Sequence, residues 1–397
     1  MREIKIKFPL ILFFCLVGWY ALLSFTHYMN QRALWNDEQC VLNSIQQFSN
    51  HDIFNRQLLN VQVFPRGYLF LIKNVAQICD DSRLGLRLLP FISMMAAFIL
   101  WLKIARSQAA TFGVYLTFVL SWSASITLIY YAAELKQYSM DVLTAAIFLL
   151  FLYHQPQWQR RPGAGYGLLL LILPFLGLLS YPAFLFLIFP FWNLWTGVKE
   201  NRQLKRYLIF YTLAAITAVG LSFWFDMRWR PLAAVKGHSD YFVSFASVGD
   251  FFKTFGEGVN NLFSRWFVEK PKILRCIARF FVAFGLVNMV VGFIRQRRES
   301  PFYFDSIGKV ALIVFFELFL LGALKKYPFT VPRTSLFFCP IILFLTADMI
   351  SRLKTTNKYI YFLIQGGYVL FLCVVSLGLA REVLGGDLGA QSPIWIF

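Results

Sequence analysis

Leu34-Trp35-Asn36-Asp37-Glu38-Gln39 follows an apolar run from Phe8 to Thr26, and the fold turns on reading the two together. The run is long enough to cross a hydrocarbon core, so the paired carboxylates sit where lipid ends and water begins. A local reading is at hand. Asn36 has the character of a helix N-cap with Gln39 three residues on, and acids in a first turn complement the helix dipole. Val41, Leu42, Ile45 and Phe48 then recur at helical spacing, as in a helix lying along the interface. Arg2, Lys5 and Lys7 precede the run as in a signal peptide, but its length and the lack of a small-x-small site predict a retained helix.

Working outward, apolar runs of this length recur along all 397 residues, of which 58% are hydrophobic and 15% charged. The expectation is an all-α polytopic membrane protein with about eleven transmembrane helices; barrel-type alternation is absent. The spans are read at 8–27, 86–105, 109–128, 138–154, 165–179, 181–196, 206–226, 276–294, 306–324, 334–351 and 358–380. Gly67 to Ile78 is too short to cross and is expected on the outer surface, or dipping in from it.

Lys103 and Arg106, Arg160 and Arg161, Lys199 to Arg206, Arg295 to Arg298, and Arg352 to Lys358 fall in alternate loops. With the N-terminus in the cytoplasm, every one of these loops is cytoplasmic, as positive-inside asks. The same distribution accounts for a net charge of +18 without nucleic acid. Residues 28–85 and 227–275 become long outer loops of a single domain covering 1–397, with no separate soluble domain. Six cysteines lack metal-like spacing; Cys40 and Cys79 share the first outer loop, where a disulfide is conceivable in an oxidising compartment.

The outer ends then gather a polar set. Asp37 and Glu38 follow the first span. Glu134 and Lys136 sit in Tyr130-Tyr131-Ala132-Ala133-Glu134-Leu135-Lys136-Gln137-Tyr138, with Asp141 one turn on. Ser180-Tyr181-Pro182 turns between two spans, and Lys325-Lys326-Tyr327-Pro328-Phe329 leads to Arg333. Each has an ordinary explanation: an interfacial ion pair, snorkelling lysines, an aromatic belt, turn-forming prolines. Together they describe a face for an anionic, hydroxyl-rich ligand with a base beside it. Cations there neutralise a lipid phosphate and its departing charge, and a carboxylate takes a proton from an acceptor hydroxyl. Asp37 in a first helical turn is weakened as a base by the dipole, while burial under substrate pushes the other way.

Trp35-Asn36-Asp37-Glu38 resembles the first-loop Asp-Glu motif of the GT-C glycosyltransferases. The likeness is to the family 39-like group, which includes protein O-mannosyltransferases and the lipid A aminoarabinose transferase. Gln62 to Leu69 and Asp81 to Pro90 are similar to the bacterial "QxxPPL…GDSExxLRLLP" run. Ala133 to Val142 resembles "AExKxYSxDV", and Tyr327 to Arg333 resembles "YPFxxGR". Phe64 and Arg66 replace the expected Pro and Leu beside Pro65, and Pro332 stands in place of Gly.

The resemblance implies a GT-C fold and an inverting transfer on the outer face of the bacterial cytoplasmic membrane, from a polyprenyl-phosphate-linked monosaccharide. Asp37 would be the base, Glu38 its neighbour on acceptor or donor, and Glu134 a second acid. Lys136 and Arg333 would meet the donor phosphate, with Arg66, Arg87, Tyr138, Asp141, Tyr181 and Tyr327 as further substrate contacts. A glycan, lipid or protein hydroxyl would be the acceptor. No metal ligand set is assigned, and a divalent cation stays open. The alternative is a transporter or flippase of a lipid-linked glycan, which would place ionisable groups at midplane, where Glu317 and Asp348 are the candidates. A non-enzymatic assembly or sensor protein would instead pair the outer acids off structurally.

Overall fold

The computed structural model describes residues 2–79, 82–229, 241–264, 266–267, 272–299, 304, 306–329 and 331–388. Asp81 and part of the second outer loop lie outside them. No strand occurs among the described residues. The expectation of a helical membrane bundle is met.

The long helices are α1 (Arg2–Met29), α5 (Arg83–Gln108), α8 (Tyr138–Arg160), α11 (Leu204–Phe225), α13 (Lys272–Glu299), α15 (Cys339–Thr356) and α16 (Lys358–Leu384). Each coincides with an expected span. Among the described residues six helices are long and apolar enough to cross a membrane alone, and a bent pair makes up to 7. That pair is α6 (Phe112–Ser123) and α7 (Ile126–Tyr130), which continues to Ala133 and turns by 58°.

Two more expected spans are each half α and half 3-10. α9 (Ala164–Ile172) tightens into Leu173–Leu178, and Tyr181–Phe186 opens into α10 (Ile188–Gly197). Pro174 and Pro182 head the tight segments, where a missing N–H and a fixed φ disfavour α-helix continuing through. α14 (Ile307–Ala323) accounts for the expected span at 306–324.

Burial sorts these helices. The apolar window of α15 is 78% buried, against 22% in α1 and α11, so α15 is central and the other two face lipid. α8 packs along α5, and α13 packs on both α14 and α15. Close approach of α13 needs a small residue: a Cβ on Gly285 would stand 2.6 Å from Thr346 Oγ1 and 3.0 Å from the Ile342 carbonyl oxygen. On α16, Leu363, Leu370 and Leu377 recur seven apart and are exposed, a lipid-facing stripe. Trp19 Nε1 of α1 donates to Ser376 Oγ of α16 at 2.8 Å and joins the two helices.

The segment between α1 and α5 builds its own small core. α2 (Asn36–Gln47), α3 (Asn50–Asn55) and the amphipathic α4 (Arg66–Ile78) bury Val41, Ile45, Ile53, Phe64, Tyr68 and Ile72 together. α4 lies along α5. The expected cap is off by one residue. Trp35 precedes the helix and its N–H donates to Glu38 Oε2 at 3.3 Å, so the N3 acid, not Gln39, turns back to the cap.

Candidate active site

A cavity of about 500 Å³ opens at one end of the bundle. The N-terminus of α8, the C-terminus of α11, the Tyr181–Phe186 turn and the loop after α14 line it, together with Asp37 and Gln62 of the first outer loop. α8, α11 and α14 run from this cavity to the opposite end, where Arg160 closes α8 and Lys205 and Arg206 open α11. Residues about 300 apart in sequence therefore meet in one hollow, with the basic loops away from it.

Of the two first-loop acids, Asp37 is the one that lines the cavity. Lys136 Nζ donates to its Oδ1 at 2.9 Å and Arg333 Nη1 to its Oδ2 at 3.4 Å. Lys136 also donates to Gln62 Oε1 at 2.7 Å, and the Arg333 guanidinium lies 5.6 Å from the Trp35 ring centroid. Burial alone would raise the Asp37 pKa. The charges of Lys136 and Arg333, with hydrogen bonds from Lys136 and Gln62, outweigh it and leave Asp37 below the usual carboxylate range.

Glu38 points the other way, since neighbours on a helix are turned about 100° apart. It is fully buried and accepts from Arg32 Nη1 at 2.8 Å, from Arg87 Nη2 at 3.1 Å and from the backbone N–H of Leu135 at 2.7 Å. That last bond ties the first loop to the segment carrying Lys136. Glu38 and Arg87 are therefore framework behind the cavity wall, not part of its lining.

Glu134 is also enclosed behind the wall, with neither carboxyl oxygen hydrogen-bonded among the described residues. Burial, then the Glu38 charge, push its pKa up to about 8, although Arg32 and Arg333 pull it down. A carboxyl at 4.5 when unfolded and about 8 when folded takes up a proton on folding at neutral pH. Its contribution is fully present below about 4.5 and is lost as pH rises through about 8. Glu134→Gln is therefore expected to flatten the pH dependence of stability over this window, by at most about 1.4 kcal/mol per pH unit. Thermal unfolding in detergent at the two ends of the window checks this. An unchanged gap would mean that Glu134 is ionised in the fold.

Of the other expected contacts, Tyr138, Tyr181 and Tyr327 line the cavity, while Asp141 is buried outside the lining. Arg66 is also outside it. Its Nε lies 3.4 Å from Asp226 Oδ1 and its Nη1 donates to the Ile53 carbonyl at 2.7 Å. Arg32, Gln62 and Asp226 went unassigned in the sequence. Arg32 stands six residues before Glu38, a spacing that gives no helical phase across the intervening loop, and Asp226 sits at the end of an apolar helix. Among the described residues no three of His, Cys, Asp and Glu gather as metal ligands, and Cys40 and Cys79 are free thiols.

No protein-family model and no curated protein sequence matches this chain. Solved structures do. The crystal structure of ArnT from Cupriavidus metallidurans bound to undecaprenyl phosphate is similar over 94% of this chain and 77% of that one, with a TM-score of 0.56 and 10% identity. Its apo structure matches over the same shares, with a TM-score of 0.54 and 12% identity. The fold is GT-C. At these identities the likeness carries the architecture alone. Within the GT-C fold, Asp37, Lys136 and Arg333 are joined by contacts read from this chain's own geometry.

Proposed function

We propose that this chain is an inverting glycosyltransferase. It takes a monosaccharide from a polyprenyl-phosphate donor and transfers it to an acceptor hydroxyl on the outer face of the cytoplasmic membrane. The observation that carries the reading is one cavity-facing carboxylate bridged by two cations. A donor phosphate entering the cavity competes with Asp37 for Lys136 and Arg333. As they turn to the phosphate, Asp37 loses the charges that depress its pKa and becomes a stronger base. The acceptor hydroxyl attacks the anomeric carbon opposite the phosphate and its proton passes to Asp37. The anomeric carbon–oxygen bond breaks with its electron pair leaving on the phosphate, where Lys136 and Arg333 neutralise the charge. Inversion follows from attack on the opposite face.

The positive-inside pattern supports a cytoplasmic N-terminus and, with it, a cavity mouth at the outer headgroup level. There a lipid phosphate resides without leaving its leaflet.

The test is consumption of a radiolabelled polyprenyl-phosphate sugar by membranes containing the protein. Lys136→Met and Arg333→Met are each expected to raise the donor KM by about 10- to 100-fold, the worth of a charge-assisted contact to phosphate. Membranes in which the wild-type protein consumes no donor, with native acceptors present, overturn the assignment.

A further inference from the structure

A second hollow, of about 420 Å³, lies beside the first. Its walls are almost wholly hydrocarbon: Phe54, Phe70, Leu71, Phe175, Leu178 and Phe225. One residue, Asp226, lines both hollows. Its carboxylate pairs with Arg66 on the side of the second hollow and accepts a hydrogen bond from the Tyr181 hydroxyl, which lines the first. The wall between the hollows is thus a charged septum, Arg66–Asp226–Tyr181. Arg66 is 4% exposed.

We propose that the second hollow binds the hydrocarbon chain of an amphiphilic acceptor, whose hydroxylated head reaches Asp226 and crosses there into the catalytic cavity. The inference rests on the transferase reading, because a transferase must seat two substrates. The donor phosphate belongs with Lys136 and Arg333, and the apolar side chains beside them, Phe184, Leu187 and Val219, suit the first isoprene units. The second hollow is lined by one cation, Arg66, paired with Asp226, and the first by Lys136, Lys326 and Arg333, which favours the donor phosphate in the first. A hydrocarbon chain loses water against Phe54, Phe70 and Phe225 without presenting an unmatched charge. The head then meets one strong acceptor, Asp226. Its hydroxyl donates to that carboxylate as the Tyr181 hydroxyl does.

The experiment uses the full-length protein in nanodiscs doped with diacylglycerol, a hydroxyl-headed amphiphile without phosphate, bearing a diazirine in its palmitoyl chain. After illumination, labelled peptides are identified by mass spectrometry. The expected result is label on Phe70, Leu71 and Phe225 as well as on the lipid-facing Leu370 and Leu377 of α16. Leu71→Trp, which fills the hollow from a half-buried position, should lower the first set about tenfold while the α16 label holds. Label on α16 with none in the hollow overturns the proposal.

A second arm follows the sugar. In wild-type membranes it should appear in the lipid extract, and Leu71→Trp should raise the acceptor KM far more than the donor KM. Sugar recovered on protein or on a water-soluble glycan overturns the acceptor assignment. Wild-type protein that takes label in the hollow yet never consumes donor sinks the transferase reading and the acceptor assignment together. It still leaves a chain-binding hollow, so the two failures are told apart.

Discussion

Asp37→Asn is expected to lower the rate of sugar transfer by about 10²- to 10⁴-fold, the usual worth of a general base. Asn keeps the shape and loses the charge and the basicity, so the protein should still fold and insert. The same change should leave donor affinity intact or raise it. In the resting site Asp37 holds Lys136 at 2.9 Å and Arg333 at 3.4 Å, and a phosphate has to displace it. Removing the carboxylate removes the competitor. A fall in kcat with an unchanged or lower donor KM is therefore the signature of a base that doubles as a placeholder for the phosphate. A residue that only positioned the two cations would give the reverse pattern, with a raised KM and kcat largely preserved. Single-turnover transfer beside equilibrium donor binding separates the two. Transfer at the wild-type rate in Asp37→Asn would remove this residue from the chemistry.

The pH profile carries the same logic. Asp37 lies below the ordinary carboxylate range because Lys136 and Arg333 face it. Donor binding diverts both cations, so the base pKa seen in kcat should lie above the one seen in kcat/KM, which reports free enzyme. Coincident acidic limbs would mean that the phosphate leaves these contacts in place.

Hydropathy and run length were enough to place the long helices, because lipid imposes length and composition on any helix that crosses it. They could not show where a span breaks. Ala164 to Leu178 is as apolar as its neighbours, and the change from α to 3-10 at Leu173 depends on proline placement and packing. The first-loop acids were legible as a pair but not as individuals. Whether Asp37 or Glu38 faces water depends on the start of α2, and an error of one residue at the cap turns the helix face by about 100°. Lys136 and Arg333 were legible as cations on one side. Their meeting on a single carboxylate follows from how α8 and the Pro332–Phe338 turn pack. The septum was least legible, since Asp226 closes an apolar helix and Arg66 lies 160 residues away.

The second large effect concerns stability. Glu38→Ala is expected to cost about 3–5 kcal/mol, because it strands two buried guanidinium groups that the carboxylate now compensates. Against a typical total of about 5–15 kcal/mol, that is enough to abolish a monodisperse detergent-solubilised protein. Arg32 and Arg87 are 7% and 1% exposed, so neither can turn to water without opening the first-loop core. Replacing all three residues by Met should recover much of the loss, since a buried charge cluster exchanged for packed apolar side chains is often neutral or better. Transfer should not return with the fold. The Leu135 N–H, which donates to Glu38 at 2.7 Å, would have no acceptor, and Leu135 is the residue that sets Lys136 beside Asp37. Thermal stability restored without transfer would show that Glu38 acts by holding the 134–138 segment against the first loop. Restored stability with full transfer would show that Lys136 finds Asp37 unaided and that the buried cluster serves folding alone.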